Sequence, residues 1–222
     1  MELFIDSANV ELIKKFVDTC PLKGVTTNPS IISSQENTVF FSLLEEIKKT
    51  IGSQRILMVQ VVGSTYETMI KDAQRIVKEL GKEVYIKIPA NLEGLKVIKT
   101  LTSEYYNVTA TAIYSTFQGI VSLNSGAEYA AVYYNRMENL GLSADKAISS
   151  IAKIKDNKSK IIGASFKNIN QVTNAYLSGA DSCTLPPELL GQALSSLNVE
   201  DAVQVFNKDW AKVYGDKTIA DL

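Results

Sequence analysis

Short apolar runs, many of them β-branched, alternate along the chain with longer stretches whose apolar residues recur every three or four positions. The short runs are ELFIDS (2–7), GVTTN (24–28), ILMVQVV (56–62), VYIKIPA (84–90), NVTATAIY (107–114), YAAVYYNR (129–136), KIIGASF (160–166) and SCTLP (182–186). Their length predicts strands rather than helices. Most are apolar on both faces, as parallel strands covered by helices must be. Between them, ANVELIKKFVDTC keeps Val10, Leu12, Ile13, Phe16 and Val17 close to helical spacing. STYETMIKDAQRIVKEL begins Ser-x-x-Glu, which predicts a capping box from Ser64 to Glu67, and stops before Gly81. SADKAISSIAKIKDN and NINQVTNAYLSGA have the same character.

Eight strands, each followed by a helical stretch, predict an α/β fold: a (β/α)8 TIM barrel forming a single domain over residues 1–222. An open doubly wound sheet is the runner-up. No G-x-G-x-x-G or G-x-x-x-x-G-K-[ST] follows the first strand, which weakens a nucleotide-binding version. Past the eighth strand come PELLGQALSS (187–196) and VEDAVQVFNKDWAKVYG (199–215). The second is amphipathic through Val203, Val205, Phe206 and Trp210 and exceeds what one barrel needs. The tail, 199–222, is expected to cover the barrel or to grip a neighbouring subunit.

Composition narrows the chemistry. Apolar residues make up 45% and charged residues 21%, with a net charge of −1 and no basic block, so neither nucleic acid nor an anionic membrane is an expected partner. No apolar run approaches the ~20 residues that span a bilayer. The start, MELFIDS, lacks the basic and apolar regions of a signal peptide. Two cysteines far apart, Cys20 and Cys183, read as free thiols in a reducing compartment, so the expected location is cytoplasmic. The chain has no histidine. The commonest acid–base group and metal ligand is therefore missing, and chemistry must fall to Lys, Asp, Glu, Tyr, Cys or a bound water.

Barrel enzymes carry their chemistry at the C-terminal strand ends. There the sequence offers Asp6 ending strand 1, Asn28 ending strand 2, Gln60 in strand 3 and Lys87 in strand 4. Thr111 follows in strand 5, Tyr133 and Arg136 in strand 6, and Ser165 in strand 7. Strand alternation puts Met58 with Gln60, Tyr85 with Lys87, Thr109 with Thr111, Ala131 with Tyr133 and Gly163 with Ser165. If those faces point inward, the polar groups converge on one mouth.

Lys87 is the most telling of them. It lies between two isoleucines, where an unpaired ammonium is costly. An ordinary lysine has a pKa of ~10.4, and desolvation towards ~7–8 raises its neutral fraction by about two orders of magnitude. A neutral amine attacks carbonyls to form a Schiff base. Blander readings stay open. Lys87 can be a structural cation paired with Asp6, Asp6 or Ser7 a helix N-cap, Arg136 a surface ion-pair residue, and Cys183 an inert buried thiol.

Three segments carry a resemblance: GVTTNPSII (24–32), YIKIP (85–89) and GASFK (163–167). Together they resemble the transaldolase family, and more closely its short-chain branch, which includes the fructose-6-phosphate aldolases. The resemblance implies the (β/α)8 barrel and a Schiff-base lysine on strand 4, by position Lys87. It implies that Asp6 aids proton transfer, and that Asn28, with the adjacent Thr27, meets substrate hydroxyls. Arg136, Ser165 and Lys167 correspond to the family's phosphate-binding group. Gln60 and Tyr133 stand where transaldolases carry glutamate and usually phenylalanine, and Ala131-Val132 stands where they often have Ser-Pro. All three favour the aldolase branch; Thr111 fits either.

The activity this resemblance implies is that of a class I aldolase cleaving or forming the C3–C4 bond of fructose 6-phosphate or a similar ketose phosphate, with sugar phosphates as small-molecule partners. Gln60, Thr111 and Tyr133 are expected to hold a relay water. No metal and no cofactor is expected. A transaldolase moving the same three-carbon unit, a non-catalytic sugar-phosphate binder and an isomerase remain as rivals. The family also implies a homo-oligomer, a pentameric ring or a decamer.

Overall fold

The computed structural model describes residues 1–35, 39–195 and 197–222. Eight parallel strands close a barrel in sequence order: β1 (Glu2–Asp6), β2 (Leu22–Thr26), β3 (Ile56–Gln60), β4 (Tyr85–Pro89), β5 (Asn107–Ile113), β6 (Tyr129–Tyr133), β7 (Lys160–Ala164) and β8 (Ser182–Leu185). The helices between and after them begin with α1 (Val10–Thr19), α2 (Pro29–Ser33), α3 (Phe40–Ile51), α4 (Tyr66–Leu80), α5 (Leu92–Ser103), α6 (Thr116–Asn124), α7 (Tyr134–Asn139), α8 (Ala144–Ile154) and α9 (Ile169–Leu177). The expected (β/α)8 barrel is therefore the fold. Among the described residues no helix is long and apolar enough to cross a membrane.

The helices form where apolar residues fall on one side and a polar residue closes the start. In α1, Ile13 and Phe16 are buried, and Asn9 caps the helix by accepting from the Leu12 N–H at 3.0 Å. Neither Asp6 nor Ser7 is the cap; Ser7 Oγ instead accepts from the Asn9 N–H. The box opening α4 lies one residue later than expected. Thr65 and Thr68 satisfy each other's backbone N–H groups, while Ser64 and Glu67 do not. Two threonines can close this reciprocal pattern because a hydroxyl both donates and accepts.

The barrel interior is a packed core. Phe4, Met58, Tyr129, Ala131 and Ile162 form one buried cluster, with Ile56 and Tyr85 against it. Each large apolar side chain removed from water contributes ~1.5–3 kcal/mol. Tyr129 meets Phe4 and Tyr85 edge-on, at centroid distances of 6.0 and 5.6 Å. A polar net at the N-terminal strand ends stoppers this core. The Tyr129 hydroxyl donates to Glu2 at 2.9 Å, Lys160 Nζ donates to Glu2 at 3.0 Å, and the Tyr85 hydroxyl donates to Glu128 at 2.7 Å. At the other end of β4, α5 begins close against the strand. A Cβ on Gly94 would lie 1.8 Å from the Pro89 carbonyl oxygen, so only glycine fits.

The barrel and its helices form one compact unit, Met1–Pro187, and Glu188–Leu222 form a second. The second contains most of α10 (Pro187–Leu194) and all of α11 (Leu197–Tyr214), followed by a short 3₁₀ turn, Ile219–Asp221. Position 196, the last of the segment read as PELLGQALSS, lies outside the described residues. Along α11, Val199, Val203, Val205, Phe206 and Val213 are exposed. Trp210 stacks on Tyr214 at 4.4 Å and donates its indole N–H to the Lys217 carbonyl.

Candidate active site

Strand alternation does most of the positioning. Phe4 and Asp6, Met58 and Gln60, Tyr85 and Lys87, and Ala131 and Tyr133 occupy successive places on one face of their strands. The first member of each pair belongs to the barrel core or packs on it. The second lies one layer nearer the C-terminal mouth. Register fixes the neighbours: Gln60 pairs with Lys87 across β3 and β4, and Tyr133 with Ala164 across β6 and β7.

Strand 7 has the opposite parity from the one expected. Ile162 and Ala164, not Gly163, share the inward face. A Cβ on Gly163 would meet Phe166, Ala175 of α9 and the Cys183 sulfur. Ser165 still reaches the mouth because its backbone is left-handed, at φ 63°, which breaks the alternation just past the strand end. Such a conformation costs a non-glycine residue ~1–3 kcal/mol and is held by the structure around it. A second left-handed residue, Ala112 at φ 56°, accompanies a register shift between β5 and β6.

A cavity of about 350 Å³ opens at the mouth, with Asp6, Asn28, Lys87, Tyr133, Arg136, Ser165, Lys167 and Thr184 among its lining residues. Lys87 is only 5% exposed. Its amine donates to the Thr27 carbonyl oxygen at 2.7 Å and makes no ion pair within 4.0 Å among the described residues. The structural pairing with Asp6 is thus not the arrangement seen. Burial pushes the amine below the ordinary lysine range, with Asp6 pulling it partway back. Burial likewise pushes the Asp6 carboxyl above the ordinary carboxylate value, opposed by Lys87, the Thr26 hydroxyl and Arg136. Burial thus works against the charge on both groups.

The other expected residues fall into two groups. Arg136 is not in strand 6, because β6 ends at Tyr133 and Arg136 belongs to α7. Just past the strand, Tyr134 is buried against Phe166, with its hydroxyl bonded to Asp145. Arg136 is exposed, with its guanidinium carbon 4.9 Å from the Tyr133 ring centroid, and Tyr114 favours its charged form. Asn28 does not end a strand: it caps α2, its side-chain oxygen accepting from the Ile31 N–H at 3.0 Å. Its amide nitrogen is the group it can offer the cavity. Lys167 is exposed at the rim.

Thr27, Thr111 and Gln60 stand behind the lining. The Thr27 hydroxyl is buried and donates to the Met58 carbonyl at 3.1 Å, so this residue serves the site through its backbone oxygen and not through its side chain. The Thr111 and Tyr133 hydroxyls are 3.0 Å apart. Burial raises the Tyr133 phenol, with Thr111 and Arg136 pulling it down. Gln60 borders a separate hollow of about 290 Å³ beside Phe40, Phe41 and Arg75. Its side-chain oxygen is buried with no hydrogen-bond partner among the described residues, an acceptor left open beside the amine's strand. Cys183 is fully buried, and burial pushes its thiol up to about 12, which disfavours the reactive thiolate.

Three residues escaped the sequence reading. Thr26 donates to Asp6 at 2.7 Å, Thr184 lies 2.7 Å from Thr26, and Tyr114 favours the charge on Arg136. Alternation from Ser182 along SCT could have found Thr184, since it shares that residue's face.

The family described as Transaldolase/Fructose-6-phosphate aldolase matches residues 3–217 of the chain. A "Probable fructose-6-phosphate aldolase" of Streptococcus pneumoniae (strain ATCC 700669 / Spain 23F-1) is 38% identical over 222 residues, covering 99% of this chain and 100% of that one. Among solved structures, one described as "Native KDPGal structure" superposes with a TM-score of 0.59 at 10% identity, covering 83% of this chain and 82% of its own. A designed cube-shaped protein cage superposes at 0.61 with 7% identity, over 96% and 78%. At these identities the two structures show a shared fold.

Proposed function

This chain belongs to the transaldolase/fructose-6-phosphate aldolase family, and on that premise we propose a Schiff-base aldolase that cleaves or forms the C3–C4 bond of fructose 6-phosphate or a similar ketose phosphate. The observation that carries the reading is the buried Lys87 amine, lowered in pKa and bordering a cavity with Asp6 and Tyr133. A neutral amine can donate one N–H to the Thr27 carbonyl and keep its lone pair for the substrate.

Lys87 attacks the C2 carbonyl, and the carbinolamine loses water to give an iminium. Loss of the C4-hydroxyl proton then breaks the C3–C4 bond and sends its electron pair into the iminium. Glyceraldehyde 3-phosphate leaves, and an enamine of dihydroxyacetone stays on Lys87. Protonation at carbon and hydrolysis free dihydroxyacetone. The iminium is the electron sink for the cleavage.

Asp6 counters the cationic stages and exchanges protons with them. The open Gln60 oxygen and the Thr111–Tyr133 hydroxyl pair support a relay water held among these three. Arg136, Ser165 and Lys167 offer guanidinium, hydroxyl and ammonium donors suited to the substrate phosphate, and Asn28 offers an amide to its hydroxyls. The unpaired cysteines favour a cytoplasmic setting, and the exposed apolar residues of α11 favour a homo-oligomer.

Fructose 6-phosphate supplied alone tests the reading. Release of dihydroxyacetone and glyceraldehyde 3-phosphate without added aldehyde is the expected result. Turnover that requires an aldehyde acceptor makes the protein a transaldolase. Binding or isomerisation without carbon–carbon cleavage overturns both.

A further inference from the structure

The Thr26 hydroxyl lies 2.7 Å from Asp6 Oδ1 and 2.7 Å from the Thr184 hydroxyl. Both threonines are buried, and Thr184 lines the same cavity as Lys87. Each hydroxyl owns one proton, which sets the direction of the chain. While Asp6 is ionised it can only accept. Thr26 must then give its proton to Asp6, and Thr184 must give its own to Thr26. Thr184 is left facing the cavity with lone pairs alone. When Asp6 carries a proton it can donate to Thr26, Thr26 can donate to Thr184, and the Thr184 proton is free to turn into the cavity.

We infer that Thr26 and Thr184 are positioning residues for the aldolase reaction. They hold the Asp6 carboxyl in one orientation and carry its protonation state across β2 and β8 to the cavity wall. There Thr184 offers an acceptor when Asp6 is ionised and a donor when it is protonated. The inference rests on the role proposed above for Lys87 and Asp6.

The surroundings make such a relay consequential. The strands β2 and β8 flank β1 on its two sides and bring these two hydroxyls. Lys87 from β4 and Arg136 from α7 act on Asp6 through their charges, and Asp6 acts in turn on Tyr133 from β6. The Thr26 hydrogen bond holds the carboxyl down against the upward push of burial. A hydroxyl that is itself receiving a hydrogen bond donates more strongly. Removing the Thr184 hydroxyl therefore weakens the Thr26 donation and lets Asp6 titrate at higher pH.

The test compares Thr184→Val, Thr184→Ser and wild type. The readouts are kcat for fructose 6-phosphate cleavage and the Asp6 titration, followed by carboxyl ¹³C NMR with Asp6→Asn as the assignment control. Thr184→Val is expected to lower kcat roughly threefold to tenfold, the worth of one hydrogen bond. It should also move the Asp6 titration upward, and Thr184→Ser should restore both. If Thr184→Val does not fold, Thr184→Cys, of similar volume with a weak donor, is read in its place. An unmoved Asp6 titration in the folded variant, or a serine variant as impaired as the valine one, overturns the relay. Borohydride trapping of wild type with a ketose donor is run alongside. Absence of an adduct there defeats the aldolase reading itself, whereas trapping with an unmoved titration defeats the relay alone.

Discussion

The amine of Lys87 donates to the backbone oxygen of Thr27 at 2.7 Å, and the Asp6 carboxyl is not its hydrogen-bond partner. A neutral carbonyl orients the amine while favouring its charge less than a carboxylate in contact would. Asp6, which acts on the amine through its charge, is expected to steady the cationic intermediates without locking the resting amine as an ammonium. The TTNPS segment therefore reaches Lys87 through its main chain at Thr27 and Asp6 through the side chain of Thr26.

Asp6 makes stability depend on pH in a definite direction. Its folded-state pKa lies above the ordinary value of ~3.9. Between those two values the folded chain holds a proton that the unfolded chain has lost, so this group's contribution to stability falls as pH rises through the window. Asp6→Asn removes that loss. Thermal unfolding across the window should show the melting temperature of Asp6→Asn gaining on wild type as pH rises, then levelling. A difference that shrinks with rising pH would contradict the burial argument.

Tyr133 is expected to separate release from transfer. Its hydroxyl, 3.0 Å from Thr111, is proposed to help protonate the enamine and free dihydroxyacetone. In Tyr133→Phe, release without an aldehyde acceptor should fall roughly tenfold to a hundredfold, within the range of lost acid–base groups. Transfer to an added aldehyde should fall less. Equal losses in a competition assay would remove this role.

Arg136 is the test of phosphate binding. Arg136→Ala should raise KM for fructose 6-phosphate roughly tenfold or more, as expected for a lost charge-assisted hydrogen bond. The KM for unphosphorylated dihydroxyacetone, measured in the synthetic direction, should barely change. An equal rise for both would assign Arg136 to Tyr133 and Tyr114 alone.

The exposed stripe on α11 predicts an assembly role. Val203 and Phe206 are 48% and 67% exposed. Removing residues from 199 onward should lower the mass measured by light scattering to that of smaller species. An unchanged mass would refute the role.

The barrel was legible because eight apolar runs alternate with helical stretches, a pattern few other folds share. Lys87 stood out because a charge between two isoleucines violates the local pattern, and alternation then brought Gln60 and Tyr133 to its level. Other features rest on backbone detail that composition does not encode. Ser165 reaches the cavity through a left-handed residue, against the parity of its strand. Arg136 gets there because β6 stops at Tyr133 and a short helix starts. Thr184 was hidden because a threonine in a strand is by default an ordinary core residue. Its 2.7 Å approach to Thr26 and its place in the cavity lining distinguish it.

Borohydride reduction with a ketose donor, followed by mass mapping of the labelled peptide, addresses the Lys87 amine directly. Wild type should carry a donor-dependent reduced adduct on Lys87, and Lys87→Met should carry none and lose turnover. An adduct on another lysine, or native-level cleavage by Lys87→Met, would contradict the account.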